Sequence, residues 1–237
     1  MESPTPILSI KDLSLTIGNQ YILEDLNFSV QKNSILSIIG ENGSGKTSLI
    51  NILSKTYTDY KGIVRLNEKN ILLYPKSIYN RLLGSLIGNA SVYPHLTIKE
   101  NLNYVAKLYR LEEARVLEIL DIIDLSEEKD KKVKAISMGM RQRLGLGIAF
   151  LHNPELILLD EPTNGLDQSG VSDLIALIKK LNQNHGVSFL IASHNFDFLA
   201  KLQPETLALK KGKIVFHQSM KENNEPLTIN SIYEQYC

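Results

Sequence analysis

Cysteine is nearly absent from the sequence: the only one, Cys237, is its last residue. No internal disulfide framework is available, which fits a reducing compartment. A free thiol there is expected to have no role. Long apolar runs are missing as well: none approaches the roughly 18 residues that a bilayer span requires. The opening Met1-Glu2-Ser3-Pro4-Thr5-Pro6 lacks the basic-then-apolar order of a secretory signal, so the chain is expected to stay in the cytoplasm. Charge of either sign is not in surplus, since Lys plus Arg and Asp plus Glu each number 26. That balance argues against a nucleic-acid partner, whose binding surface carries a basic excess. Internal repeats and low-complexity stretches are also missing.

What remains is an ordinary globular composition, 43% apolar and 22% charged over 237 residues, enough for one large domain or two small ones. Its centre is Gly40-Glu41-Asn42-Gly43-Ser44-Gly45-Lys46-Thr47, a full match to the phosphate-cradling pattern G-x-x-x-x-G-K-[ST]. The apolar run Ile35–Ile39 before it reads as a buried strand, and Ser48–Leu53 after it as a helix. Glycines let successive N–H groups point into one concavity, and the helix start adds unpaired donors. Lys46 is expected to reach the β- and γ-phosphates of a nucleotide, and the Thr47 hydroxyl to ligate Mg²⁺. The bland alternative, a glycine-rich turn that binds nothing, does not account for the flanking strand and helix.

The chain around this loop alternates between sheet and helix. Leu13, Leu15 and Ile17, then Leu26, Phe28 and Val30, fall on strand faces with Gly18-Asn19 as the turn between them. Tyr21 lies in that antiparallel piece, either packing on the sheet or offering a stacking platform for a purine. Gly62–Asn67 reads as a further strand. From Thr97 to about Phe150 the period becomes helical, opening with the capping box Thr97-Ile98-Lys99-Glu100. Ile98, Leu102, Val105, Ala106 and Tyr109 make one stripe; Val116, Leu117, Leu120, Ile123 and Leu125 make another. Leu156–Asp160 and Ser188–Ser193 are continuous apolar runs suited to parallel strands covered on both faces. A helix from Val171 to Leu181 lies between them, and Leu207–Phe216 looks like a closing hairpin. The expected class is therefore α/β: a P-loop core with a mostly parallel sheet, an N-terminal antiparallel β part and an inserted helical part. The whole, 1–237, is read as one domain. Residues 1–87 and 151–217 form the nucleotide-binding core, 88–150 the helical part and 218–237 a polar tail with an amphipathic end.

Two further segments carry chemistry. Asp160 ends an apolar strand, where it is placed to hold the Mg²⁺ shell, and Glu161 beside it is placed to take a proton from water; an exposed acidic turn before Pro162 is the plain alternative. Ile136-Ser137-Met138-Gly139-Met140-Arg141-Gln142-Arg143-Leu144 opens a helix whose first N–H groups make another anion site.

Taken together, the motifs resemble the ATP-binding cassette family. The segment from Ser137 is similar to that family's signature, Asp160–Asp167 to its Walker B strand and D-loop, and His194 in Ala192-Ser193-His194-Asn195 to its switch histidine. The likeness runs from about Ile7 to Phe216. It implies that Tyr21 stacks on adenine, that His194 contacts the γ-phosphate, and that Asp167 sits at a dimer seam. It also implies that Ser137, Gly139 and Met140 cap the γ-phosphate held by a second copy. Within the family, the Ser-x-Gly-Met pattern resembles the branch that exports drugs and antimicrobial peptides, including bacitracin and lantibiotic protection. The implied activity is ATP hydrolysis, the implied partners a second ATPase subunit and an integral membrane permease, and the implied place the cytoplasmic face of the membrane.

Two departures stand out. Where the family carries glutamine, or glutamate in the peptide-protection branch, this chain has Gly88, with Asn89 beside it. Met138 and Met140 replace a glycine and a glutamine of the usual signature but leave the backbone donors. The rival readings are a soluble cassette of DNA repair or of ribosomes, whose coiled coil or tandem cassettes are absent here, and a regulatory cassette with slow hydrolysis.

Overall fold

The computed structural model describes residues 5–88, 90–218 and 227–237. Strands β1 (Leu8–Ile17) and β2 (Gln20–Val30) form the N-terminal hairpin. With β4 (Lys61–Leu66) and β5 (Lys69–Asn70) they make an antiparallel sheet in the order β2-β1-β4-β5. Leu13, Leu15, Leu26, Phe28 and Val30 are buried as their alternation predicts. Ile17 is not: it is 51% exposed. The register between β1 and β2 slips between Leu15 and Thr16, and a one-residue slip turns a side chain to the opposite face.

The second sheet holds β3 (Ile35–Ile39), β6 (Leu83–Ile87), β7 (Leu156–Asp160), β8 (Ser188–Ala192), β9 (Glu205–Lys210) and β10 (Lys213–Gln218). Its order is β10-β9-β3-β8-β7-β6, parallel from β9 to β6, with β10 antiparallel at the edge. Side chains along each strand alternate between two cores: Ile157, Leu159, Phe189 and Ile191 enter one, Leu156, Leu158, Leu190 and Ala192 the other. A strand buried on both faces has no polar side, which is why these segments read as unbroken apolar runs. Helix α1 (Lys46–Leu53) and the antiparallel sheet close one core.

Helices α3 (Ile98–Tyr109), α4 (Glu113–Ile122), α5 (Met138–Phe150), α6 (Gln168–His185), α7 (Phe196–Leu202) and α8 (Ile229–Tyr236) contribute to the other. The Thr97–Glu100 capping box forms with both of its hydrogen bonds. In the second stripe Leu117 is 44% exposed, while Ile123 and Leu125 are buried just beyond the end of α4.

Several elements fall where the sequence offered no pattern, among them α2 (Lys76–Leu82), the edge strand β6 and α7. Gly84 lies inside β6 because α5 packs against it there; a Cβ at that position would sit 2.3 Å from the Ala149 carbonyl oxygen. A glycine inside a five-residue strand weakens its signal. Of the polar tail, 219–226 lies outside the described residues. Its amphipathic end is α8, which buries Ile229 and Ile232, sets Tyr233 beside Phe196 and stacks Tyr236 on Phe216. Cys237 is half-buried there, and burial pushes its thiol pKa up, as suits an unreactive cysteine.

Candidate nucleotide site

In the parallel sheet β8 lies between β3 and β7. The loop after β3, the acid ending β7 and the histidine after β8 therefore emerge side by side, at the carboxyl ends where open α/β sheets bind ligands.

The loop is held from behind. Gly212 N donates to Ser44 O (3.0 Å) and Glu24 N to Gly212 O (2.8 Å), so the β9–β10 turn ties the loop to β2. Gly45 is required there: its φ is +110°, and a Cβ would meet Leu23 Cδ2 at 2.6 Å. Lys46 Nζ donates to the carbonyls of Gly40 (2.8 Å) and Glu41 (3.0 Å). Burial lowers its pKa, and the charges of Glu161 and Asp160 oppose that shift. Asn42 and Gly43 are exposed at the mouth, and the buried Ser44 Oγ has no partner. Tyr21 is 62% exposed on β2, next to Ile22, whose carbonyl a Cβ on Gly45 would meet at 3.0 Å. The aromatic face is thus open and borders the loop.

Thr47 Oγ1 donates to Asp160 Oδ2 (3.0 Å), whereas Asp160 Oδ1 is buried with no hydrogen-bond partner. Burial raises the Asp160 pKa; the Thr47 hydrogen bond lowers it, Glu161 raises it and Lys46 lowers it. An orphaned buried carboxylate oxygen beside a hydroxyl fits a hard cation such as Mg²⁺. Among the described residues no cluster of three His, Cys, Asp or Glu could hold a metal, and a nucleotide-bound Mg²⁺ needs only one or two protein oxygens. Glu161 sits at φ +49°, in the left-handed region, a conformation that persists at functional positions when neighbours enforce it. Its Oε2 accepts from Ser193 Oγ (3.3 Å), His194 N (3.3 Å) and His194 Nδ1 (2.8 Å).

Ser137, Gly139, Met140 and Asp167 are elsewhere. They line their own cleft of about 280 Å³ with Met138, Arg143 and Gly165. Ser137 caps α5 by accepting from Met140 N (3.2 Å), which leaves the N–H groups at the helix start facing the cleft. Asp167 caps α6 through Gly170 N (2.8 Å). Gly139 packs on α6: a Cβ there would lie 3.4 Å from Gly170 Cα.

Gln142 lies in the signature segment with no role expected from the sequence. It is 2% exposed and donates to Pro162 O (2.7 Å), joining the signature helix to the segment after Glu161. Flanked by Arg141 and Arg143, Gln142 carries no sequence signal of burial; its partner is visible only in the fold. Gly88 follows β6 at φ +64° with open space around a virtual Cβ, and its N–H donates to Asp160 O (3.1 Å). Asn89, the other candidate for the missing side chain, lies outside the described residues.

These features define a phosphate-loop nucleotide-binding protein of the cassette type, with a second cleft, lined by Ser137, Gly139, Met140 and Asp167, set apart at the start of a helix. The sequence model of the ABC transporter family matches residues 23–164, and the chain belongs to that family as an ATP-binding, ATP-hydrolysing subunit. It is 34% identical to the bacitracin transport ATP-binding protein BcrA of Bacillus licheniformis, over 88% of this chain and 68% of that one. It is 30% identical to the lantibiotic transport ATP-binding protein SrtF of Streptococcus pyogenes, over 95% and 97%. Among solved structures, an ATP-binding cassette of an ABC transporter in its ADP conformation superposes with a TM-score of 0.82 at 25% identity, covering 92% of this chain and 93% of that one. The fold is also that of cbiO1 from Clostridium perfringens, with a TM-score of 0.83 at 21% identity over 90% and 88% of the two chains.

Proposed function

We propose that two copies of this chain close head to tail over two ATP molecules and so drive a separate integral membrane permease. One observation supports this above the others: Ser137, Gly139, Met140 and Asp167 line a cleft that contains no residue of the phosphate loop. Helix-start donors without an anion of their own suit the terminal phosphate of a nucleotide held by the second copy. Only ATP carries the phosphate that both halves touch, so ATP favours the closed pair and ADP does not.

In this reading Tyr21 stacks on adenine, and Gly40–Thr47 wrap the phosphates with their N–H groups. Lys46 turns from the Gly40 and Glu41 carbonyls to the β- and γ-phosphates. Thr47 Oγ1 and Asp160 Oδ1 would hold Mg²⁺, whose charge would offset that of the phosphates. Glu161 takes the proton of the attacking water, and His194 contacts the γ-phosphate. Residues 1–87 with 151–217 act as the nucleotide-binding core, and 88–150 as the helical part that carries the signature to the partner.

The cargo in this proposal is an antimicrobial peptide or drug, in keeping with relatives named for bacitracin and lantibiotic transport. No helix among the described residues is long and apolar enough to cross a membrane, so passage falls to the permease, with this subunit at the cytoplasmic face. Glu161→Gln tests the composite site: the variant should run as a dimer on a sizing column in ATP and as a monomer in ADP. A monomer in both nucleotides sinks the proposal. Co-expression with membrane proteins encoded beside it should yield a co-purifying permease, and the absence of any would count against transport.

A further inference from the structure

Ser193 is 0% exposed, yet its hydroxyl lies within the candidate site. Its Oγ accepts from Asn195 N at 3.1 Å. With that lone pair engaged, the hydroxyl hydrogen is directed to the acceptor within reach, Glu161 Oε2 at 3.3 Å. The same carboxylate oxygen receives two donors from His194, the backbone N at 3.3 Å and Nδ1 at 2.8 Å. All three donors therefore converge on Oε2. Among the described residues Oε1 has no hydrogen-bond partner, which leaves it as the oxygen able to accept from water.

The three donors differ in mobility. The His194 side chain is 62% exposed and is assigned above to the nucleotide's terminal phosphate. When the imidazole turns to that phosphate, it leaves Oε2. The Ser193 hydroxyl cannot follow, because it is enclosed and fixed by Asn195, which itself caps α7 through Phe198 N (3.0 Å). Glu161 in turn is anchored to the same strand end by its N–H on Ala192 O (2.8 Å).

We infer that Ser193 is a positioning residue for ATP hydrolysis: its hydroxyl, with the His194 N–H, keeps the Glu161 carboxylate aimed after the imidazole has moved to the nucleotide. The inference rests on the reading of Glu161 as the proton acceptor. It divides two tasks between neighbours, with His194 as the mobile contact and Ser193 as the fixed one.

The test is steady-state ATPase kinetics on the full chain, beside thermal melting. Ser193→Ala should lower kcat about tenfold while KM for ATP stays within about twofold, since a positioning hydrogen bond acts on the reacting geometry and not on nucleotide binding. Ser193→Thr, which keeps the donor, should restore most of kcat. Ser193→Cys, close in size but a weak donor, should resemble the alanine variant and replaces it if that variant melts early. In a Glu161→Gln background, single-turnover hydrolysis should fall no further on adding Ser193→Ala, because the group being aimed is gone. A kcat for Ser193→Ala near the wild-type value, with Glu161→Gln inactive, overturns the role of Ser193 and leaves Glu161 in place. A rise in KM with unchanged kcat overturns it too. Turnover that survives Glu161→Gln overturns the reading of Glu161 itself, and this inference with it.

Discussion

The phosphate loop and the signature cleft, both proposed as anion sites, are built in opposite ways. The loop is closed on itself: Lys46 is bound to its own carbonyls, Thr47 to Asp160, and Glu161 to Ser193 and His194. The strand ends behind it are buried on both faces. The signature is the reverse. Ser137 and Asp167 each cap their own helix, Ser137 by taking Met140 N, and among the described residues Met138 N and Gly139 N at the mouth of the cleft have no acceptor. A site complete in itself would not leave helix-start donors idle. The difference supports the proposed division of labour, in which the sheet carries the groups that act on the nucleotide and the helical element offers donors to a second copy.

The strongest way to break that contrast is to fill the signature cleft. Gly139→Asp places a carboxylate at the start of α5, against Gly170 and where the phosphate is proposed to dock. Turnover should fall by about 10²–10³, the loss seen when a preorganised donor to a developing anion is removed. Equilibrium binding of ATP to the isolated subunit should stay near wild type, because the loop is untouched. Equal losses in binding and turnover would mean that both sites serve the same nucleotide within one copy.

A second test falls on the joint between the two regions. His152, just past α5, stacks flat on Tyr109 of α3, with ring centroids 4.4 Å apart, and Arg81 of α2 lies over the other ring. Burial lowers the His152 pKa from 6.5 to about 4; its hydrogen bond to Leu83 O opposes the shift, and Arg81 and Arg115 add to it. The folded protein thus keeps His152 neutral while the unfolded chain takes up a proton as pH falls. The contribution is fully present above about pH 6.5 and lost as pH drops toward about 4, amounting to about 3 kcal/mol in all. Urea unfolding at about pH 7.5 and about pH 5 should differ by about 2 kcal/mol from this group, and His152→Phe should flatten that slope. An unchanged slope in the variant would assign the acid sensitivity to other groups.

Gln142 offers a smaller perturbation of the same link. Gln142→Leu leaves Pro162 O buried without its donor and should cost about 1–2 kcal/mol of stability in denaturant melts. Turnover should fall as well if the signature helix reports on Glu161 through this bond. Full stability in the variant would mean that water replaces the amide.

The parts that were legible in the sequence are those where a local rule acts alone. Gly40–Thr47 announced itself because each position has its own reason, and Leu156–Asp160 and Ser188–Ala192 because burial on both faces removes polar residues. Thr97 and Glu100 declared a helix start through bonds four residues wide. What escaped depends on distant contacts. Strand β6 carries Gly84 only because α5 presses on it, Ile17 leaves its face through a register slip, and Gln142 gains its task from Pro162 on another element. Ser193 was read as part of an apolar run, and only the fold shows its hydroxyl beside Glu161.

Gly88 is the finest test, because it sits where the two regions meet and brings no side chain. Its N–H on Asp160 O (3.1 Å) carries the β6–β7 pairing one residue further, to the acidic strand end. A Cβ at this position meets nothing within 4 Å, so the space for a longer residue exists. The backbone sets the cost: at φ +64° a side chain strains the chain by about 1–2 kcal/mol. Gly88→Gln should therefore lower the melting temperature slightly while adding an amide able to reach toward Asp160 and water. If the missing side chain limits hydrolysis, ATPase turnover rises about threefold, the scale of one net hydrogen bond. A stability loss with unchanged turnover would mean that the backbone bond at Gly88 already couples the helical part to the acid, and that the glycine is this chain's own solution.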